Sequence, residues 1–284
     1  MYKNATSGVK GEGMHLKTEQ LEKYFATSYA LSARNISVGV FDKLDSTNSE
    51  ARRYAATENR NDEVTRVFVA LSQSAGRGRM GRSFFSPNSS GLYFTALFDA
   101  SDMPPERMLC LTPAAAVAVV RVAGRLGVNG AKIKWVNDIL IDGKKACGIL
   151  AESFAVGDKR YAAVGIGINL FTESFPAELE SIATSFFDGT VSESQRLTTL
   201  AETAELLATE LFDLKKMIDA GDLSYMDEYR RASAVIGRPI SYVKDGVEHF
   251  GYAIGVDDLG RLSVRERSGE TSVLSGGEIS LFLK

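Results

Sequence analysis

Two short turns constrain this chain more than any other feature: Asp142-Gly143 and Gly157-Asp158 each join apolar runs that read as strands. Dipeptides of this kind close hairpins. Strands joined so tightly pair antiparallel, because parallel neighbours need a crossover of about a dozen residues or more. Ile139-Leu140-Ile141, 146–151 and 161–170 are therefore expected to be successive antiparallel strands. Further strands are expected at 36–40, 67–71, 91–98 and 133–136, and helical spacing at 17–33, 113–126, 197–218 and 223–232. Thr47 and Glu50 stand at capping-box spacing. Pro113 and Gly127 bracket the Ala/Val-rich helix as start and stop. The implied fold class is α+β: a mixed, largely antiparallel sheet with packed helices. After Gly237-Arg238-Pro239, short runs at 240–243, 250–256, 262–265 and 271–274, spaced by Asp245-Gly246 and Leu259-Gly260, predict a small C-terminal β-barrel. The expected division is 1–35 as leader and short helix, 36–234 as the main domain and 235–284 as the barrel.

Composition removes several function classes. A net charge of −3 provides no overall basic field, so DNA is not the default partner and any attraction for anions must be local. Two cysteines cannot build a disulfide framework, and no apolar run is read as reaching the about 20 residues that span a bilayer. A reducing cytoplasm and no membrane are the expectation. The N-terminus, with Lys3, Gly8, Lys10, Gly11 and Gly13, lacks the apolar core of a secretory signal and reads as a disordered leader.

Local attraction for anions is concentrated in Gly76-Arg77-Gly78-Arg79-Met80-Gly81-Arg82. Glycine lets backbone N–H groups approach a ligand, and arginine forks suit phosphate and carboxylate oxygens. The stretch satisfies G-x-G-x-x-G, but it leads through Phe84-Phe85-Ser86-Pro87 into another strand, whereas a dinucleotide-binding turn opens a helix. A protein kinase is excluded by the lack of His-Arg-Asp and Asp-Phe-Gly. A solvated loop with incidental arginines is the plain alternative.

Three other stretches carry chemistry. Lys132-Ile133-Lys134-Trp135-Val136-Asn137-Asp138 precedes Lys144-Lys145-Ala146-Cys147-Gly148 across the hairpin. Asp138 adds a carboxylate able to hold Mg²⁺, and Gly148 permits close approach beside Lys145; solvated edge lysines are the competing reading. Gly165-Ile166-Gly167-Ile168-Asn169 leaves one strand face bare, suited to a flat ring or a close-packed neighbour. Ser46-Thr47-Asn48, with Gln73, offers uncharged hydrogen-bonders for a neutral polar ring, although Ser46 or Thr47 also suits a simple N-cap.

In order and spacing, Asp45-Ser46-Thr47-Asn48, Gly76 to Arg82, Lys134-Trp135-Val136-Asn137-Asp138, Lys145-Ala146-Cys147-Gly148 and Gly165 to Asn169 together resemble the bacterial biotin protein ligases. Gly237-Arg238-Pro239 and Gly277-Glu278-Ile279-Ser280-Leu281 resemble that family's C-terminal domain, so the likeness spans 36 to 284. The resemblance implies a class II aminoacyl-tRNA-synthetase-like catalytic domain followed by a small barrel. It implies ATP-dependent activation of biotin to biotinyl-5′-AMP and transfer to a lysine of a biotin carboxyl carrier domain, with Mg²⁺ as cofactor.

By the same resemblance Lys145 and Arg79 are the catalytic cations. Ser46, Thr47, Asn48, Gln73, Arg77, Gly78, Arg79, Lys145 and Gly148 form the biotin side; Gly76, Arg79, Arg82, Phe84, Lys134, Asn137, Asp138 and Asn169 form the ATP side, with Asp138 toward the metal. Cys147 is expected to be a packed residue and not a catalytic thiol. Three positions depart from the pattern: Val136 stands where proline is usual, Phe84 where the repressor-ligases carry tryptophan, and Phe282 where they carry an arginine near the C-terminus. The N-terminal DNA-binding domain of those repressors has no counterpart in the motifs, which implies the non-regulatory class. A lipoate-type ligase and a biotin-adenylate sensor or repressor are the alternatives, and self-association as a homodimer is left open.

Overall fold

The structure, a computed structural model, describes residues 8–57, 61, 63–187, 191–244 and 246–281. Residues 1–7 of the expected leader, Asp245 of an expected turn and Phe282 lie outside the described residues. Residues 8–16, expected to belong to the loose leader, instead continue a helix, α1 (Gly8–Ala26). The helix expected over 17–33 is broken near Ser28, whose hydroxyl accepts Leu31 N–H at 3.2 Å and so caps a new turn, α2 (Tyr29–Ser32).

Seven strands form the main sheet: β1 (Ile36–Phe41), β2 (Thr65–Ala70), β3 (Gly91–Asp99), β4 (Lys132–Lys134), β5 (Asp138–Ile141), β6 (Lys144–Val156) and β7 (Lys159–Asn169), in the order β1-β2-β3-β7-β6-β5-β4. Only β1 and β2 are parallel, and the crossover between them carries α3 (Thr47–Ala55). The other neighbours are antiparallel, as the turns dictate. Asp142 and Gly143, at φ 50° and 78°, adopt the left-handed pair that a two-residue hairpin requires.

Alternation along β3 and β7 decides what each face of the sheet meets. Leu92, Phe94, Ala96 and Phe98, with Val164, Ile166 and Ile168, enter the main core beneath α4 (Leu111–Arg125) and α6 (Glu193–Ala220). The opposite face bears Leu97, Ala163 and Tyr161 against Ala51 and Ala55 of α3, with the two glycines of β7 beside them. The helix α6 starts four residues before the apolar spacing suggests, because Ser192 and Gln195 form a capping box. The helical stretch Pro105–Arg125, 21 residues that include an 18-residue window of mean hydropathy 1.5, is long and apolar enough by length and composition to cross a membrane, which corrects the reading that no run approaches that length. In this fold ten residues of α4 are buried, and the segment serves as the core helix.

Between β7 and α6 lies a single turn of helix, α5 (Ala177–Glu180), and after α6 comes α7 (Met226–Ala232). The C-terminal residues form a second, five-stranded antiparallel sheet from β8 (Pro239–Lys244), β9 (Val247–Val256), β10 (Leu262–Glu266), β11 (Thr271–Leu274) and β12 (Ile279–Leu281), in the order β11-β10-β9-β8-β12. It is moored to the main core: buried Trp135 donates Nε1–H to Gly260 O at 2.8 Å, and Arg230 donates to Val256 O at 2.8 Å. A Cβ at Gly260 would meet Pro113 at 2.5 Å, so the contact needs glycine.

Candidate active site

The start of α3 does not cap itself. Ser46 stands at the N-cap without a side-chain bond to the helix, and Glu50 bonds Arg53 at 2.8 Å, so the capping box expected between Thr47 and Glu50 is absent. Gln73 replaces it. Its Oε1 accepts Thr47 N–H at 2.8 Å, and its Nε2 donates to Ser86 Oγ at 3.0 Å. Thr95, fully buried in the middle of β3, donates to Asn48 Oδ1 at 2.7 Å and lies 2.8 Å from Thr47 Oγ1. Asn48 Nδ2 in turn donates to Leu150 O and to Glu152 Oε2, at 3.1 and 2.8 Å. This buried polar set needs bare backbone beside it: a Cβ on Gly165 would sit 2.2 Å from Asn48 Oδ1.

The glycine–arginine stretch folds back on itself. Phe84 N–H donates to Gly76 O at 2.9 Å and Gly78 N–H to Arg82 O at 2.7 Å, with Met80 and Gly81 at positive φ at the tip. Each arginine leaves in a different direction. Arg77 pairs with Glu152 at 2.6 Å, Arg79 Nη1 donates to Asn137 Oδ1 at 3.0 Å, and Arg82 pairs with Glu278 of the C-terminal part. The phenyl ring of Phe84 lies across the bare strands, where Cβ atoms on Gly167 and Gly148 would meet it at 2.5 and 3.1 Å. The flat ring that the glycine face was expected to suit is, in this structure, the protein's own.

Lys145 reaches this face through an irregularity. In a regular strand Lys145 and Cys147 would share a face, and Cys147 is in the core. The ladder shifts between Ile139 and Leu140, so Ile139 opposes Cys147 while Leu140 opposes Lys145. Such a bulge re-aims a side chain. Lys145 Nζ therefore stands 2.7 Å from Asp138 Oδ1, an ion-pair contact outside hydrogen-bond angles that leaves that buried oxygen without a hydrogen-bond donor. The lysine backbone is held on its other edge, with Lys145 N–H donating to Ile182 O at 2.8 Å and Thr184 N–H to Lys145 O at 2.9 Å. Asn137 is fixed by its own pair of bonds with Ile149, at 3.0 and 2.9 Å.

These pieces surround one cleft of about 380 Å³. Ser46, Thr47, Asn48, Gln73, Arg77, Gly78, Arg79, Arg82, Phe84, Lys134, Asn137, Asp138, Lys145 and Gly148 all line it. Gly76 and Asn169, expected on the ATP side, do not. Gly76 packs tightly on Phe84 O and Ser86 Oγ, and buried Asn169 donates to Thr184 O at 3.0 Å, bracing the segment that holds Lys145. The far wall, from Ser241, Tyr242 and Glu248, has no motif to announce it.

Charge in the cleft is unevenly compensated. Arg77, Arg82 and Lys145 each face a carboxylate, whereas Arg79 bonds a neutral amide and Lys134 has no carboxylate partner among the described residues. Uncompensated fixed cations in a concave site attract anions. Burial pushes the Cys147 thiol well above its ordinary range, so it stays neutral and packed. No cluster of three metal-ligating side chains exists among the described residues. The buried Oδ1 of Asp138, which lacks a hydrogen-bond donor, fits the mode in which Mg²⁺ takes one carboxylate and draws its remaining ligands from phosphates and water.

Residues 40–169 match the model of the Biotin/lipoate A/B protein ligase family. The biotin–[acetyl-CoA-carboxylase] ligase of Mycobacterium tuberculosis is 30% identical over 244 residues, covering 84% of this chain and 87% of that protein. Its counterpart in Paracoccus denitrificans is 30% identical over 241 residues, covering 84% of this chain and 97% of that protein. The bifunctional ligase/repressor BirA of Bacillus subtilis is 42% identical over 147 residues, and the match spans 51% of this chain but only 44% of that protein. In fold, the biotin protein ligase from Aquifex aeolicus in complex with biotin and ATP superposes with a TM-score of 0.66 at 22% identity, over 87% of this chain and 99% of that one. With the Mycobacterium and Paracoccus ligases matched over 87% and 97% of their own lengths at 30% identity, and with the arginine loop, the Lys134–Asp138 hairpin and the start of α3 around one cleft, this chain belongs to the biotin protein ligase family.

Proposed function

We propose that this protein activates biotin with ATP and transfers it to a lysine of a carboxylase's biotin carboxyl carrier domain. Residues 36–234 form the catalytic unit, and 235–284 a smaller one that closes the cleft. What carries the reading is the bond of Arg79 to Asn137 at 3.0 Å, because it joins the acid-binding loop to the hairpin of Lys134, Asp138 and Lys145 within one cavity.

Both reactants are anions, and their repulsion is the first barrier. The biotin carboxylate must approach the α-phosphorus of ATP from the side opposite the leaving pyrophosphate. Arg79 and Lys134, which have no carboxylate partner among the described residues, offset that repulsion, and Lys145 exchanges its contact with Asp138 for the reacting oxygens. Fixed donors aimed at developing charge contribute about 3–4 kcal/mol each to the barrier lowering. Ser46, Thr47, Asn48 and Gln73 hold the neutral ureido ring at the other end. Mg²⁺ would be held by Asp138 together with the nucleotide phosphates and would supply further neutralisation there. The carrier amine then attacks the carbonyl of biotinyl-5′-AMP and AMP departs, so no protein nucleophile is needed and Cys147 can remain buried. A cytoplasmic location fits these reactants and belongs to the same reading.

The test is to mix the protein with biotin, MgATP and a carrier domain and to weigh the carrier. One added biotinyl group per carrier is expected, and an unchanged mass would contradict the proposal. Lipoate in place of biotin should give no addition, since Ser46, Thr47, Asn48 and Gln73 would face an aliphatic ring with their polar atoms unmatched.

A further inference from the structure

Arg77 enters the cleft from one side and Asn48 from another, and the two meet on a residue that does not itself line it. Glu152, on β6 and mostly buried, receives Arg77 Nη2 on Oε1 at 2.6 Å and Asn48 Nδ2 on Oε2 at 2.8 Å. Both carboxylate oxygens are thus engaged, one by a charged and one by a neutral donor. From Asn48 the chain of bonds continues through Thr95 and Thr47 to Gln73, then to Ser86, whose Oγ donates to Phe84 O at 2.9 Å. The arginine loop is therefore tied at both ends to the residues around the start of α3. Arg77 holds one end through Glu152, and Ser86 holds the other through Gln73.

We infer that Glu152 is a positioning residue that couples the acid-binding loop to the ring-binding residues, so that the carboxylate end and the ureido end of biotin are gripped by one connected frame. The inference rests on the ligase reading above. A carboxylate suits the task better than an amide does, because it presents acceptors to both donors. In Glu152→Gln one of the two donors must face the new NH₂ group, and the shared anchor becomes two competing ones.

The measurement is biotin-dependent exchange of labelled pyrophosphate into ATP by the whole protein. In Glu152→Gln the KM for biotin should rise about tenfold, the scale of one charge-assisted hydrogen bond, while the maximal rate is unchanged. The KM for ATP should stay at the wild-type value. In the Arg77→Ala background the same substitution should raise the KM for biotin less than it does in the wild type, since the two residues act as a unit. If Glu152→Gln does not fold, Glu152→Asp, which keeps the charge but cannot span both donors, carries the same comparison. Exchange by the wild type with an unchanged KM in the Glu152 variant, or equal increases in both backgrounds, overturns the inference alone. No biotin-dependent exchange by the wild type overturns the ligase reading and the inference with it.

Discussion

Lys145 shows how much a single position depends on its surroundings. Its charge faces Asp138, its backbone is held by Ile182 and Thr184, and a bulge aims it into the cleft instead of the core. Lys145→Ala should abolish biotin-dependent pyrophosphate release while the thermal unfolding midpoint stays near the wild-type value, since the side chain is partly exposed and fills no core space. Undiminished release would remove Lys145 from the mechanism. Trp135 has the opposite character, being buried with its one donor committed to Gly260 O. Trp135→Phe should cost about 1–3 kcal/mol by leaving that carbonyl unmatched, read as a lowered urea midpoint. An unchanged midpoint would contradict the mooring role given to it.

At the scale of elements, the loop of 76–82 and the start of α3 are the parts that respond to conditions. The loop tip is exposed at Met80 and held by side-chain contacts from its three arginines. Protease cleavage within 76–82 should slow when biotin and MgATP are both present, and equal cleavage rates would contradict ordering of the loop on binding. At the start of α3, the Arg53 guanidinium beside Asp45 holds its carboxyl down from 3.8 to about 2. A lowered native value means that the unfolded chain takes up the proton first as pH falls. The contribution is therefore complete above the unfolded value, and it fades as pH drops through about 2. Because the pair is half exposed it amounts to less than about 1 kcal/mol. The stability difference between the wild type and Asp45→Asn, measured by urea unfolding, should be constant from pH 7 to 5 and shrink below pH 4; a difference independent of pH would refute it.

Over the whole molecule, the sequence was readable where local chemistry acts alone. Two-residue turns at Asp142-Gly143 and Gly157-Asp158 mark the antiparallel hairpins, and glycine next to arginine marks the loop. Nothing in the sequence marks Thr95 and Glu152, which sit within ordinary strands, and only the strand register brings them to Asn48. The bulge at Lys145 has no glycine or proline to mark it, and the clamp from 182–184 uses backbone atoms, which no side-chain pattern reveals. Asn169 follows two glycines on a strand aimed at the cleft, but the chain turns there and its amide braces Thr184 instead. What the assembled molecule adds is an unbalanced field: Arg77, Arg82 and Lys145 in the cleft each meet a carboxylate, and among the described residues Arg79 and Lys134 do not. The most direct test of the account is pyrophosphate exchange by Arg79→Ala, with folding verified by circular dichroism. A loss of about 100- to 1000-fold in rate is expected for removal of one preorganised cation, and a rate equal to that of the wild type would contradict the claim that fixed positive charge brings the two anionic substrates together.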